Sequence, residues 1–431
     1  MSSTATATPP AADFLLDEVL EAGDLLAPAP PDFSCPTADG CTAEIFDRLD
    51  AIDPDVWQAL FPPHWKDRRY YATLAETLAD DFPPRYLVLK DRAGEIRALQ
   101  PLFFVTQDLT VSLPPALRRP LLAMRRLFPR FLKLRLLMVG CVVGDGQTGL
   151  APDLDAAERV EIFTEIDAAL ARYARRERIG IRLWKDFPAA ARRDLLPALC
   201  ARRGHARLPS LPAVRLPLDF SSFDAFLENK LGKSTRKSLR RKFREVDAAD
   251  APVTCEVKNR VTAAEATELH ALYERVARRG DIHFEIFPRD YFLLLGQRMT
   301  EQTRFFIWRQ RGRIVAFAFC TVHGDTLHDN DIGLDYAVAH ELHLYHVTFR
   351  DLVNWALAND LRWYQSSPFN YEPKLRLRMD LVPLDLYACH RSRLVQSAIR
   401  RFAPLLAPTR QEPLLRQFPN FDQLHAAPPG R

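Results

Sequence analysis

The 431-residue chain has no Cys-x-x-Cys pair; its seven cysteines are scattered at positions 35, 41, 141, 200, 255, 320 and 389. An odd, unpaired set makes neither a disulfide framework nor a thiolate zinc site, so the expected compartment is a reducing cytoplasm. No run of about 18 apolar residues occurs, and no spanning helix is expected. The opening MSSTATATPPAADF has no basic stretch followed by an apolar core, so no secretory leader is expected. Histidines at i and i+4 around a glutamate are also missing. HELHLYH (340–346) spaces its histidines three and three, which turns each by about 60° from the last on a helix. Zinc needs two on one face, and no metal is expected. GCVVGDGQTG (140–149) is dense in glycine, yet no Gly-Lys-Ser/Thr follows, which excludes a P-loop.

What is present is ordinary in bulk: 47% apolar and 26% charged residues, in a chain long enough for two domains. The charge is uneven. Residues 1–60 carry twelve acidic side chains and one basic, Arg48, which leaves the rest with 58 basic and 43 acidic. The expected division is an acidic tail (1–55), an N-terminal domain (56–218), a C-terminal domain bearing the active site (219–405) and a C-terminal tail (406–431). Residues 109–144 hold seven cations, Arg118 to Arg135, among leucines and phenylalanines with no acid. Such a segment suits peripheral contact with an anionic bilayer at the inner membrane face, or it packs over the domain.

Apolar periodicity predicts a helix over 66–81, a strand hairpin over 85–105, a helix over 154–178, a strand at 179–187 and a helix over 189–204. The second half repeats this order: one or two helices over 220–249, a strand at VTCEVKN, helices at 263–279 and 288–301, and a three-strand meander. A helix over 342–359, a strand at 361–367, a strand at 383–390 and an amphipathic helix (RSRLVQSAIRRFAPLL) close the chain. The fold class is α/β, with mixed sheets in two similar units.

Chemistry concentrates near the meander's end. LHDNDIG places Asp329 and Asp331 on one face if period two holds; there they would face water, a cation or an amine, or else the strand has already turned. SSPFNYEPK (366–374) sets Asn370, Tyr371, Glu372 and Lys374 in a loop at a strand's C-terminal end, where ligands gather in open α/β sheets. On the basic helix KLGKSTRKSLRRKF, Lys233, Arg236, Lys237, Arg240 and Arg241 form one stripe that could meet the phosphates of a nucleotide donor, a charged tRNA or a lipid-linked substrate, or solvent.

From about 215 to 395, LGKSTRKSLRRKFRE, the meander ending IGLDY, ELHLYHVTFRDLVNWALANDL and WYQSSPFNYEPKLRLRM together resemble the FemAB-like branch of the GNAT acyltransferase superfamily, including its BioF-like members. QPLFF, RFLKLRLLMVGCVVGDG and IRLWKDF extend the likeness to the first half. The resemblance implies tandem GNAT-like domains and transfer of an acyl or aminoacyl group from a thioester or ester to a small-molecule or lipid-linked amine. It implies His343 as the base and Tyr371 and Lys374 as residues that bind or polarise the substrate. Asp329 or Asp331 would hold the amine. The GNAT pyrophosphate loop, Gln/Arg-x-x-Gly-x-Gly/Ala, is absent from GLDYAVAHELH, so acyl-CoA and aminoacyl-tRNA both stay open as donors. The rival expectation is a non-catalytic protein of this fold that binds RNA or anionic membrane.

Overall fold

The computed structural model describes residues 30–37, 40–108, 133–279 and 284–426. Its strands are β1 (Phe33–Pro36), β2 (Thr42–Phe46), β3 (Pro84–Lys90), β4 (Ile96–Asp108), β5 (Lys133–Val139), β6 (Gly149–Leu150), β7 (Ile181–Pro188), β8 (Ala206–Pro209), β9 (Ala213–Pro217), β10 (Thr254–Lys258), β11 (Thr303–Gln310), β12 (Arg313–His323), β13 (Thr326–Leu334), β14 (Trp363–Ser366), β15 (Asp380–Val382) and β16 (Leu384–His390). The α-helices are α1 (Pro54–Leu60), α2 (Arg68–Thr77), α3 (Ala156–Arg176), α4 (Arg192–Leu195), α5 (Phe223–Lys230), α6 (Lys233–Asp247), α7 (Ala263–Ala277), α8 (Arg289–Arg298), α9 (Leu344–Ala358), α10 (Tyr371–Arg376) and α11 (Arg393–Leu406).

Two mixed sheets result. The first runs β1-β2-β3-β4-β5-β7-β16-β8, with β6 on β4; the second runs β10-β11-β12-β13-β14-β9-β15. Each half repeats one unit: an antiparallel meander (β3-β4-β5, β11-β12-β13) followed by a helix that crosses over to a parallel neighbour, β7 or β14. A parallel partner demands such a crossover, and α3 and α9 supply it. Local signals agree with these elements. Asp155 and Glu158 form a reciprocal capping box on α3, as Thr262 and Glu265 do on α7.

The halves exchange strands. β9, from the first half, lies between β14 and β15, while β16, from the second, lies between β7 and β8. Asp385 of β16 is fully buried and accepts hydrogen bonds from Arg192 Nε (2.6 Å) and Arg207 Nε (2.9 Å). The two expected tails are also shorter than the sequence suggested. β1 and β2 extend the first sheet inside the 1–55 segment, with Ala43 and Ile45 buried. Residues 408–424 make three short 3-10 turns that bury Leu415, Phe418 and Leu424 in the second core. Of the cationic segment 109–144, residues 109–132 lie outside the described residues, and Lys133–Val139 is strand β5.

Candidate active site

β13 and β14 pair in parallel only from Thr326↔Trp363 to Asp329↔Ser366. Beyond that point β14 gives way to a loop while β13 continues to Leu334, so the two strands part beside Asp329. In the first half the equivalent place is filled. The glycine-dense loop after β5 packs there, with Gly146 N–H bonded to Asp186 O (3.0 Å) and a Cβ on Gly146 only 2.5 Å from Lys185 O. The opening thus belongs to the second half.

A β-bulge sits in β13 at the same place. Phe319 pairs with Asp331 and Cys320 with Asp329, which leaves Asn330 as an extra residue. The bulge overturns the period-two expectation: Asp329 and Asp331 lie opposite adjacent residues of β12 and face opposite sides of the sheet. Asp329 accepts a 2.5 Å hydrogen bond from Tyr364 Oη. Burial raises its pKa, with Tyr364 and the charge of Lys374 opposing the rise. Asp331 points into the space between the sheets, among Tyr70, Tyr273, Tyr291 and Glu285. Burial, then the charges of Glu285 and Asp329, hold its carboxyl well above the usual range. No described side chain hydrogen-bonds it.

The loop after β14 is stapled from inside. Ser367 Oγ donates to Asn330 O (2.7 Å), and Lys374 Nζ donates to Ser367 O (2.5 Å) and Phe369 O (2.8 Å). Phe369 and Asn370 both take positive φ, 71° and 49°, and these bonds hold that turn. Lys374 is buried, and burial pulls its pKa down to about 8, partly offset by Asp329. It therefore shapes the loop and tunes Asp329. Tyr371 is turned into the second core, where its hydroxyl donates to Pro212 O (2.8 Å) and burial raises its pKa. Asn370 precedes α10 with no capping bond, and Glu372 pairs with Arg376 on the surface (2.5 Å).

The histidines also differ from expectation. Residues 335–343 are turns, and α9 begins at Leu344, after His343 in left-handed backbone (φ 46°). His343 Nε2 donates to Glu245 of α6 (2.9 Å), which lowers the pKa of that exposed carboxyl. That bond directs its ring to α6. His346 is the one that lines a cleft. It accepts from Lys242 Nζ (2.6 Å), and burial and that cation hold its pKa near 4, so the ring is neutral. Its Nδ1 is buried without a partner. Among the described residues no His/Cys/Asp/Glu group has metal-binding geometry.

The cleft, about 480 Å³, is walled by Ser234, Thr235, Ser238 and Lys242 of α6, Tyr345 and His346 of α9, and Glu372 and Arg376 of α10. Burial, then the charge of Asp329, keeps the Tyr345 phenol protonated. The predicted stripe lies elsewhere on α6. Arg236 bonds Glu228 O, Arg240 pairs with the Glu228 carboxylate, and Lys233 and Lys237 are exposed. The residues that meet the cleft are their hydroxyl-bearing neighbours. At the start of α6, Gly232 caps the helix without a side-chain acceptor, which leaves first-turn N–H groups for an anion.

Across the opening, between the sheets, lies a second set of groups that sequence reading missed. Lys66 is buried and salt-bridges Asp145 (2.5 Å), and Trp65 packs on His328. Burial holds His64 near 3 and His328 near 4, both neutral. Lys185 pairs with Asp186 (2.6 Å), and Glu285 nearby is pushed up to about 7 by burial. These residues come from five separate segments, so no local pattern announces them.

Residues 233–372 match the family model described as an acetyltransferase (GNAT) domain. Among solved structures, FemX superposes with a TM-score of 0.51 at 10% identity, over 83% of this chain and 100% of that one. L-PGS from Bacillus licheniformis gives 0.45 at 13% identity, over 78% and 95%. A tandem GNAT protein from the clavulanic acid biosynthesis pathway gives 0.42 at 12%, over 79% and 94%. No curated protein matches the chain. The chain thus shares its overall fold with FemX, and within its second half residues 233–372 match the acetyltransferase (GNAT) domain model.

Proposed function

We propose that this protein is an N-acyltransferase whose donor lies in the cleft between α6, α9 and α10 and whose amine acceptor enters between the two sheets. The observation that carries this reading is the parting of β13 and β14 at Asp329. It joins a cleft rich in hydroxyl and cationic groups on one face of the sheet to an unpartnered carboxyl, Asp331, on the other. Serine and threonine hydroxyls, Lys242, Arg376 and free helix N–H groups suit phosphate. A cleft of about 480 Å³ is the size of a small-molecule site, which favours acyl-CoA over aminoacyl-tRNA as donor.

In the reaction the amine nitrogen attacks the thioester carbonyl; the C–N bond forms and the C–S bond breaks. Asp331 in its ionised form holds the incoming ammonium and takes its first proton, which frees the lone pair for attack, and its raised pKa makes it a stronger base than an ordinary carboxylate. The second proton, shed by nitrogen once the C–N bond has formed, makes good the one that Tyr345 gives up. Tyr345, protonated and in the cleft wall, hands a proton to the departing thiolate. The Tyr364–Asp329 bond and the Lys374 staple keep the opening in shape. Calorimetric titration with acetyl-CoA tests the reading: saturable binding that weakens in Lys242→Ala/Arg376→Ala supports it. No heat, alongside salt-sensitive RNA binding, would favour a non-catalytic protein instead.

A further inference from the structure

α11 is an unusual helix in this molecule: none of its fourteen residues is buried, although six of them are large and apolar. It rests on β8 and β16 by a narrow face of small side chains. Ile399 and Ala403 pack against Ala206, Leu208 and Ala388, and Gln396 bonds Gly204 O (2.8 Å). The bulky side chains point the other way. Leu394 is 85% exposed, Leu405 and Leu406 54% each, Phe402 50% and Val395 42%. These are five of the eight large apolar side chains exposed among the described residues, so this is a patch rather than the usual scatter. At 100° per residue all five fall within a sector of about 120°.

The polar side of the same helix is purely basic. Arg401 borders the apolar sector and Arg393 and Arg400 lie on the helix side opposite it; none of the three has an ion-pair partner among the described residues, and no acidic residue occurs from 391 to 411. On α6, by contrast, Arg240 and Arg241 are each matched by a glutamate. We propose that α11 is a membrane-docking helix, which lays its apolar sector into the surface of an anionic phospholipid bilayer while its arginines meet the headgroup phosphates. An apolar protein partner would cover the leucines but leave three cations unmatched. An anionic bilayer interface satisfies both sides of the helix at once. Docking is peripheral, since no helix among the described residues is long and apolar enough to cross a membrane.

The test uses the full chain and vesicles of phosphatidylglycerol and phosphatidylcholine in equal parts, with pure phosphatidylcholine as control. The protein should co-sediment with the anionic vesicles and not with the neutral ones. Arg393→Gln/Arg400→Gln/Arg401→Gln should weaken binding by about a hundredfold, which corresponds to roughly 1 kcal/mol per cation. Leu394→Ser/Phe402→Ser/Leu405→Ser should abolish it, with circular dichroism unchanged because all three are exposed. In Phe402→Trp, otherwise intact, the emission of the new indole should shift to the blue on addition of anionic vesicles and be quenched by brominated lipid. Absence of co-sedimentation, or equal binding by the variants, overturns the proposal. So does a dimer in sedimentation velocity that the serine variant dissociates while vesicles bind neither protein.

Discussion

Asp331 and Lys374 show how burial turns common side chains into specific ones. Asp331 is partly buried and feels the charges of Glu285 and Asp329, so the proton it accepts from an amine is held firmly. Asp331→Asn keeps the size and removes the base; amine-dependent thiol release should fall by about 10² to 10⁴-fold while acetyl-CoA affinity is unchanged. A fall in donor affinity alone would move the chemistry elsewhere. Glu285, close by, titrates near 7 in the folded chain against an ordinary value of 4.5. Its neutral form is the one the fold favours, so its contribution to stability is complete below 4.5 and is lost as pH rises through 7. Thermal melts should show Glu285→Gln gaining on the wild type across that window. A difference independent of pH would place Glu285 in water. Lys374 was visible in the sequence as a site residue. Its two carbonyl partners were not, because the loop they hold is set by positive φ angles that no residue type there announces.

At the scale of elements, the bulge in β13 and the turn before α9 decide which side chains meet. Period-two reading of HDNDIG placed both aspartates together, since a bulge leaves no mark in so short a strand. The basic helix α6 was recognised from its pattern, yet its most cationic stripe faces α5 and solvent. The face that lines the cleft is the neighbouring one, Ser234, Thr235, Ser238 and Lys242, which becomes identifiable only once α9 and α10 are packed against it. Likewise the histidine that lines the cleft, His346, is three residues beyond the one the family likeness selects. Tyr371→Phe separates packing from catalysis. Losing the bond to Pro212 should destabilise the protein by about 1 to 2 kcal/mol in urea melts, with little change in thiol release. A large loss of turnover at unchanged stability would restore Tyr371 to the site.

At the scale of the molecule, the meander-helix-strand repeat was legible because each element carries its own periodicity and caps. The exchange of β9 and β16 was not, because strand order is a long-range choice between sheets with similar edges. That exchange ties the halves into one compact unit from Pro31 onward. Calorimetric unfolding should therefore be a single transition, and Asp385→Ala, which leaves Arg192 without its buried partner and takes one from Arg207, should lower stability by about 3 to 5 kcal/mol. Two separable transitions would mean that the halves fold alone. In the proposed reaction donor and acceptor meet from opposite faces of one sheet, at the parting of β13 and β14. The most direct test of that arrangement is titration of acetyl-CoA into the wild-type protein and into Lys242→Ala/Arg376→Ala. The account predicts one saturable site, weakened by about tenfold or more in the double variant. Equal affinity in both proteins, or no binding to either, would contradict it.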